Sequence, residues 1–374
     1  MSQPLPSRAG RRPPPRAAGP YAWMRTNLFA TPLDAIVTLI VGALVVWFAW
    51  ITLDWAVLRA TWVGEDRSAC EAGGACWAVV TARWRQVLAG FYPEGHLWRV
   101  ALATLLLVGA CLPVIVRRLP SWTLALAPLF VVGAWAVLGG ARILPSVPTD
   151  YWGGVFLNLL IGITGAVFSL PLGIALALGR RSRLPVVKAL CVGFIEFVRG
   201  APLITLLFMA SVVLPLFLPT GVSLEKLTRA VVVITLFSSA YMAEAIRGGL
   251  QAIPKGQGEA ARALGMDWSR TTALIVLPQA MRISIPAVVN TFIALFKDTT
   301  LVYVIALLDV TGVMRQALAD FSWQGLEGEA YAFIALFFWI ICFSLSRWSA
   351  SLERRLNARP DVIAIDRAPA KETA

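Results

Sequence analysis

Long apolar runs separated by short charged segments dominate the chain. They fall at 33–53, 98–116, 122–141, 153–179, 198–218, 228–247, 283–308 and 328–346. Each comes close to or exceeds the roughly 20 residues an α-helix needs to cross a bilayer core of about 30 Å. The pattern predicts an all-α polytopic membrane protein with about eight transmembrane helices. The seventh run is the least uniform, because Lys297 and Asp298 interrupt it.

Composition agrees with this reading. The 374 residues are 58% hydrophobic and only 14% charged, against about 25% charged in a soluble domain. Fifteen tryptophans suit a chain with two membrane–water interfaces. The net charge of +12 lies between the apolar runs and forms no soluble basic face, so no nucleic-acid partner is expected. With the N-terminus in the cytosol, the inside segments hold 22 Lys and Arg and the outside segments nine, leaving Arg199 and Lys297 in or beside spans. That bias places both termini in the cytoplasm. The single histidine, His96, argues against a His-based metal or acid–base site, and no catalytic or metal-binding cluster is expected.

The organisation follows from the runs. Residues 1–32 are rich in Pro and Arg, lack an apolar stretch followed by a cleavage site, and read as a disordered cytosolic tail. Residues 33–150 form three accessory helices. Their outside loop 54–97 carries Trp55, Trp62, Trp77 and Trp84 and is expected to pack on the membrane surface. Residues 151–350 form a five-helix core with an inside loop at 248–282, and 351–374 form a cytosolic tail. Cys111, Cys191 and Cys342 lie in apolar runs, whereas Cys70 and Cys76 share the outside loop and can pair if it faces an oxidising compartment.

The inside loop carries the strongest local signals. Glu259 to Leu264 are good helix formers. Gly265 suits the left-handed residue that ends a helix, Asp267 can cap the next one, and Pro278 should stop it. Gly248 and Gly249 mark the break from span into loop. A short helix, a tight turn and a second short helix result, in which Ala260 and Ala261 offer a small surface to a partner. Trp268, Leu274 and Leu277 can face that partner or the bundle. These properties suit a docking element and equally an amphipathic connector resting on the membrane.

The spacing Glu259-Ala260-Ala261, Gly265, Ile275, Leu277, Pro278 resembles the EAA loop of ABC importer permeases, with no departure in spacing. The likeness extends to Phe194–Leu203, Ser239–Gly249, Pro254–Gln257 and Phe296–Leu301, which fit the polar amino-acid permeases (histidine/glutamine type). Ala201 stands where Thr often precedes the proline, and Thr300 where Ser is usual. Residues 151–182 and the three extra N-terminal spans are similar to the long M-type subunit of general L-amino-acid importers. The resemblance implies a bacterial inner-membrane permease with a type I importer core. It would move polar or general L-amino acids inward by alternating access, coupled through the loop to a separate ATPase dimer. It further implies a periplasmic amino-acid-binding protein and, from the unequal length, a second homologous permease in a heterodimer. Gly-Lys occurs nowhere in the chain, so no phosphate loop is present. ATP and magnesium are expected on the partner, with no cofactor on this chain. Membrane lipid is the remaining partner.

Ionisable residues inside spans need partners. Lys297 and Asp298 point in different directions on a helix, and an interruption near Lys297–Thr300 would bring Thr299 and Thr300 into play. These four residues with Tyr241 form a candidate substrate path; the alternative is an inter-helix or subunit-interface ion pair for Lys297 and Asp298, and an inter-helix hydrogen bond for Tyr241. Glu196 and Arg199, and likewise Glu244 and Arg247, have the i,i+3 spacing of structural ion pairs. A secondary transporter or channel would show inverted repeats or a ring of pore charges, and a membrane enzyme a catalytic cluster. The sequence shows neither.

Overall fold

The computed structural model describes residues 19–116, 121–140, 144–217, 219 and 224–357. Most of the expected terminal tails and the inside arginines Arg117 and Arg118 lie outside this range. The chain divides into two units, residues 1–78 and 79–374.

In the first unit, Pro20–Asn27 is helical, although 1–32 was expected to be disordered. Helix α1 (Pro32–Leu53) follows. Thr31 caps it through a reciprocal box in which the Asp34 N–H donates to the Thr31 hydroxyl and the Thr31 N–H to the Asp34 carboxylate. This satisfies two of the free donors at a helix start. No residue of α1 is buried. Beyond it, Cys70 and Cys76 form a disulfide with Cα atoms 5.5 Å apart, beside a cluster of Trp55, Trp62 and Trp77.

In the second unit, α2 (Leu97–Ile115) packs against α3 (Ala127–Gly139). The core then comprises α4 (Gly154–Arg180), α5 (Pro185–Gly200), α6 (Leu203–Phe208, extended by a π-turn to Phe217), α7 (Lys226–Gln251), α8 (Lys255–Ala263), α9 (Leu277–Asp298), α10 (Val310–Leu318) and α11 (Glu327–Asn357). The α4–α7 contact is the most extensive, and α9 packs on α7. Among the described residues, six helices are long and apolar enough to span a membrane. A bent pair, α5 and α6, makes a seventh, and Thr123–Gly139 is a shorter apolar helix.

Three boundaries differ from expectation, each for a local reason. The fifth span does not begin at 198. Two helices meet there at 103°, because Pro202 holds Ala201 in an extended conformation (φ −97, ψ 137). Gly248 and Gly249 do not end their span, since α7 runs on to Gln251. A Cβ on Gly249 would overlap the carbonyl of Ala280 on α9, so this glycine permits close helix contact. Pro278 does not stop a helix either. Trp268–Ile305 is one long helical span, and Leu277 before the proline is helical (φ −63, ψ −44). The π-helical stretch Thr271–Val276 precedes Pro278. Such a widened turn shifts the carbonyls that the proline cannot serve.

Within the loop 54–97, residues 79–97 pack on the end of their own core. Val87, Ala89 and Tyr92 are buried, the Tyr92 hydroxyl donates to the Leu138 carbonyl at 2.8 Å, and Arg83 pairs with Asp320 at 2.6 Å. Gly154 fits this junction by necessity. Its φ is +67 and a Cβ there would overlap the carbonyl oxygens of Gln86 and Val87. Gly154→Ala should therefore cost about 2–3 kcal/mol from left-handed strain plus the clash, read as a lowered thermal midpoint of the purified protein.

Candidate functional site

The segment from α8 to α9 is built as the residue types suggest. Met266 N–H donates to Ala261 O and Gly265 N–H to Arg262 O, the paired bonds of a Schellman ending. Gly265 has φ +78, and a Cβ there would meet nothing within 4 Å, so the backbone angle alone calls for glycine. The Asp267 carboxylate accepts from Arg270 N–H at 2.7 Å and caps the following helix. Leu264, Trp268 and Leu274 are 82%, 63% and 68% exposed. Three large apolar groups standing outward on one short polar segment suggest an unfilled contact. Glu259, Ala260 and Pro278 are exposed, and Ile275 and Leu277 half-buried. Ala261 is buried. Of the expected small surface, then, only Ala260 faces out, because the turn folds the Ala261 side of α8 back onto the π-turn.

A cavity of about 560 Å³ opens where α5 and α6 bend. Leu203, Phe237 and Leu301 wall it, and Ser238, Tyr241, Asn290, Thr291 and Asp298 supply polar groups. Tyr241 and Asp298 thus share one cavity. The α-helix ends at Asp298 and passes into a 3-10 turn, Thr299–Ile305. Lys297 is exposed and does not line the cavity. Thr299 is fully buried, and the Thr300 hydroxyl donates to the Lys297 carbonyl at 2.9 Å. Asn290, Thr291 and Ser238 were missed. Counting back from Asp298 by seven and eight residues would have found the first two.

Glu244 on α7 is the hub of a charge cluster. Arg180 on α4 donates to it at 2.9 Å, Arg247 pairs with it at 2.8 Å, and Arg199 on α5 lies at 3.7 Å. The expected Glu244–Arg247 pair is present. The expected Glu196–Arg199 pair is replaced: Glu196 meets Arg180 at 2.9 Å, while Arg199 turns to Glu244 and lies 5.6 Å over the Tyr241 ring. Tertiary partners win over an i,i+3 pair worth a few tenths of a kcal/mol.

A second polar knot was not foreseen. Asn158 on α4 donates to Thr299 at 2.9 Å and to Asp309 at 3.1 Å, and accepts from Val310 N–H at 3.0 Å. Asp309 caps α10 by accepting from Gly312 N–H. Burial pushes its carboxyl above the ordinary carboxylate range, opposed by these hydrogen bonds.

Comparison with known proteins gives these features a context. Residues 169–358 match the family of binding-protein-dependent transport system inner membrane components. The inner membrane amino-acid ABC transporter permease protein YhdY of Escherichia coli K12 is 46% identical over 92% of this chain and 96% of its own length. The glutamate/glutamine/aspartate/asparagine transport system permease protein BztC of Rhodobacter capsulatus is 40% identical over 93% and 96%. A crystal structure of an amino acid ABC transporter with histidines aligns with 54% of this chain and 92% of that one, at 30% identity and a TM-score of 0.48. Family membership implies ATPase partners and a binding protein. The helical spans, the loop between α7 and α9 and the family match over the core converge: the chain belongs to the binding-protein-dependent inner-membrane permeases of ABC importers, and its likeness to two long members runs over nearly its whole length.

Proposed function

We propose that this permease subunit carries polar or general L-amino acids from the periplasm to the cytoplasm by alternating access, and that the α8–α9 segment is where a separate ATPase dimer grips it. One observation carries the reading. The exposed segment with Leu264 turns at Gly265 directly into Trp268–Ile305, the continuous helix that supplies Asn290, Thr291 and Asp298 to the cavity. Movement of the loop by an ATPase would reach the cavity along one element on the order of 55 Å long. ATP and magnesium would bind the ATPase, leaving this chain non-catalytic. A second homologous permease would complete a heterodimer, and the binding protein would deliver substrate at the end carrying α10. Both termini would lie in the cytoplasm.

Within the cavity, Asp298 suits the ammonium group of an amino acid, with Tyr241 and Asn290 as hydrogen-bonding neighbours. Lys297, on the exposed face, suits the boundary with the second permease. The complex, reconstituted with its binding protein, should take up labelled amino acids only with ATP inside. Asp298→Asn should lower uptake roughly tenfold or more, the worth of a charged hydrogen bond, with ATPase association intact. A Lys297→Met variant that loses as much uptake would return Lys297 to the path. Uptake without ATP would instead identify a secondary transporter.

A further inference from the structure

Helix α9 is held at both ends and lines the cavity between them. Toward α8 the hold is steric, through the contact of Gly249 with Ala280. At the other end it is polar. The Asn158 amide donates to Thr299 and Asp309 and accepts from Val310. Thr299 in turn donates to the Phe296 carbonyl at 2.7 Å. Asn158, Thr299 and Asp309 are all 0% exposed. Thr299 is the first residue of the 3-10 turn, next to Asp298 and two residues before Leu301, both of which face the cavity. The α4 backbone closes on the same place, since Gly154 N–H donates to the Leu308 carbonyl at 2.8 Å. A buried amide with its donors and acceptor engaged resists displacement, because moving it leaves several polar groups unpaired.

We infer that Asn158 is a positioning residue for transport: by holding Thr299 and Asp309 it fixes the turn that presents Asp298 and Leu301 to the cavity. This rests on reading the cavity as the substrate path of an ATP-driven importer. Asn158 itself does not line the cavity, so it acts through its neighbours. A loosened turn lets the ATPase cycle proceed while the cavity wall fails to follow.

The test uses the complete reconstituted complex and measures labelled amino acid taken up per ATP hydrolysed. Asn158→Ala and Thr299→Val should lower that ratio roughly tenfold, with basal hydrolysis and ATPase association unchanged. Asp309→Asn keeps an acceptor for the Gly312 N–H while removing one that Asn158 uses, and should lower the ratio too. Thr299→Ser keeps the hydroxyl and should behave as wild type. A merely structural role would lower uptake and hydrolysis together, in step with the thermal midpoint, and that result overturns the inference, as does an unchanged ratio in Asn158→Ala and Asp309→Asn. If the unaltered complex shows no ATP-dependent uptake, the importer reading fails first. If it does and the variants match it, only the role of Asn158 fails.

Discussion

Leu264→Asp is expected to weaken capture of the ATPase by this chain about a hundredfold, read as co-purification from a co-expressed, detergent-solubilised complex. Leu264 is 82% exposed and closes α8 as the residue before Gly265. A large apolar side chain at the centre of an interface loses about 2 kcal/mol or more on truncation. A carboxylate in its place adds the cost of desolvating an unpaired charge, and about 3 kcal/mol corresponds to a hundredfold in Kd. The same exposure means that the isolated fold should lose no more than about 1 kcal/mol, the cost of a carboxylate at the C-terminal end of α8. The thermal midpoint of the chain alone is therefore the control. Gly265→Ala makes a graded comparison: it keeps Leu264 but strains the left-handed turn by about 1 kcal/mol, tilting α8 and weakening capture less. If Leu264→Asp co-purifies as wild type while the chain folds normally, the segment is a membrane-surface connector and the ATPase docks elsewhere.

The parts of this molecule legible in the sequence are those fixed by local chemistry. Apolar run length gave the spans, and Gly265 and Asp267 gave the turn and the cap, because φ and a short side-chain bond depend on adjacent residues only. Fixed spacing over twenty residues gave the family. The failures share a cause as well. Pro278 reads as a stop by the usual steric rule, yet a π-turn upstream lets the helix pass. Glu196 and Arg199 have an attractive i,i+3 spacing, but Arg180 and Glu244, brought in by the packing of α4, α5 and α7, bind them more strongly. Asn158 sits in an apolar run as an unremarked amide, and nothing near it in sequence names Asp309, 151 residues away. The spacing around Lys297–Thr300 suggests an open Thr299 hydroxyl near the substrate, whereas Thr299 is buried in that knot. Polar contacts between distant helices depend on which faces meet, and no window of one helix holds that information.

Such distant contacts govern the largest stability effect expected here. Glu244→Gln should lower the thermal midpoint of the purified chain by roughly 5–10 °C, equivalent to about 3 kcal/mol. Glu244 has its two oxygens committed, Oε1 to Arg180 and Oε2 to Arg199 and Arg247, and its side chain is only 15% exposed. A neutral amide has one acceptor oxygen in place of two and no charge, so three guanidinium groups from three helices remain with Glu196 as the nearby carboxylate. Glu196 is 54% exposed, and its own removal should cost no more than about 1 kcal/mol, as for surface pairs. Comparing the two variants separates the hub from the rim, since simple loss of one negative charge would shift both equally. Pairing Glu244→Gln with Arg247→Met should recover part of the loss, because the second change removes one of the stranded cations. Equal small shifts in Glu244→Gln and Glu196→Gln, or no recovery in the double variant, would mean that solvent screens the cluster and that apolar packing alone joins α4, α5 and α7. A large shift confined to Glu244 would make this carboxylate the electrostatic tie between the bend at Pro202 and the helices that carry the cavity, with Arg199 held over Tyr241 as part of the same arrangement.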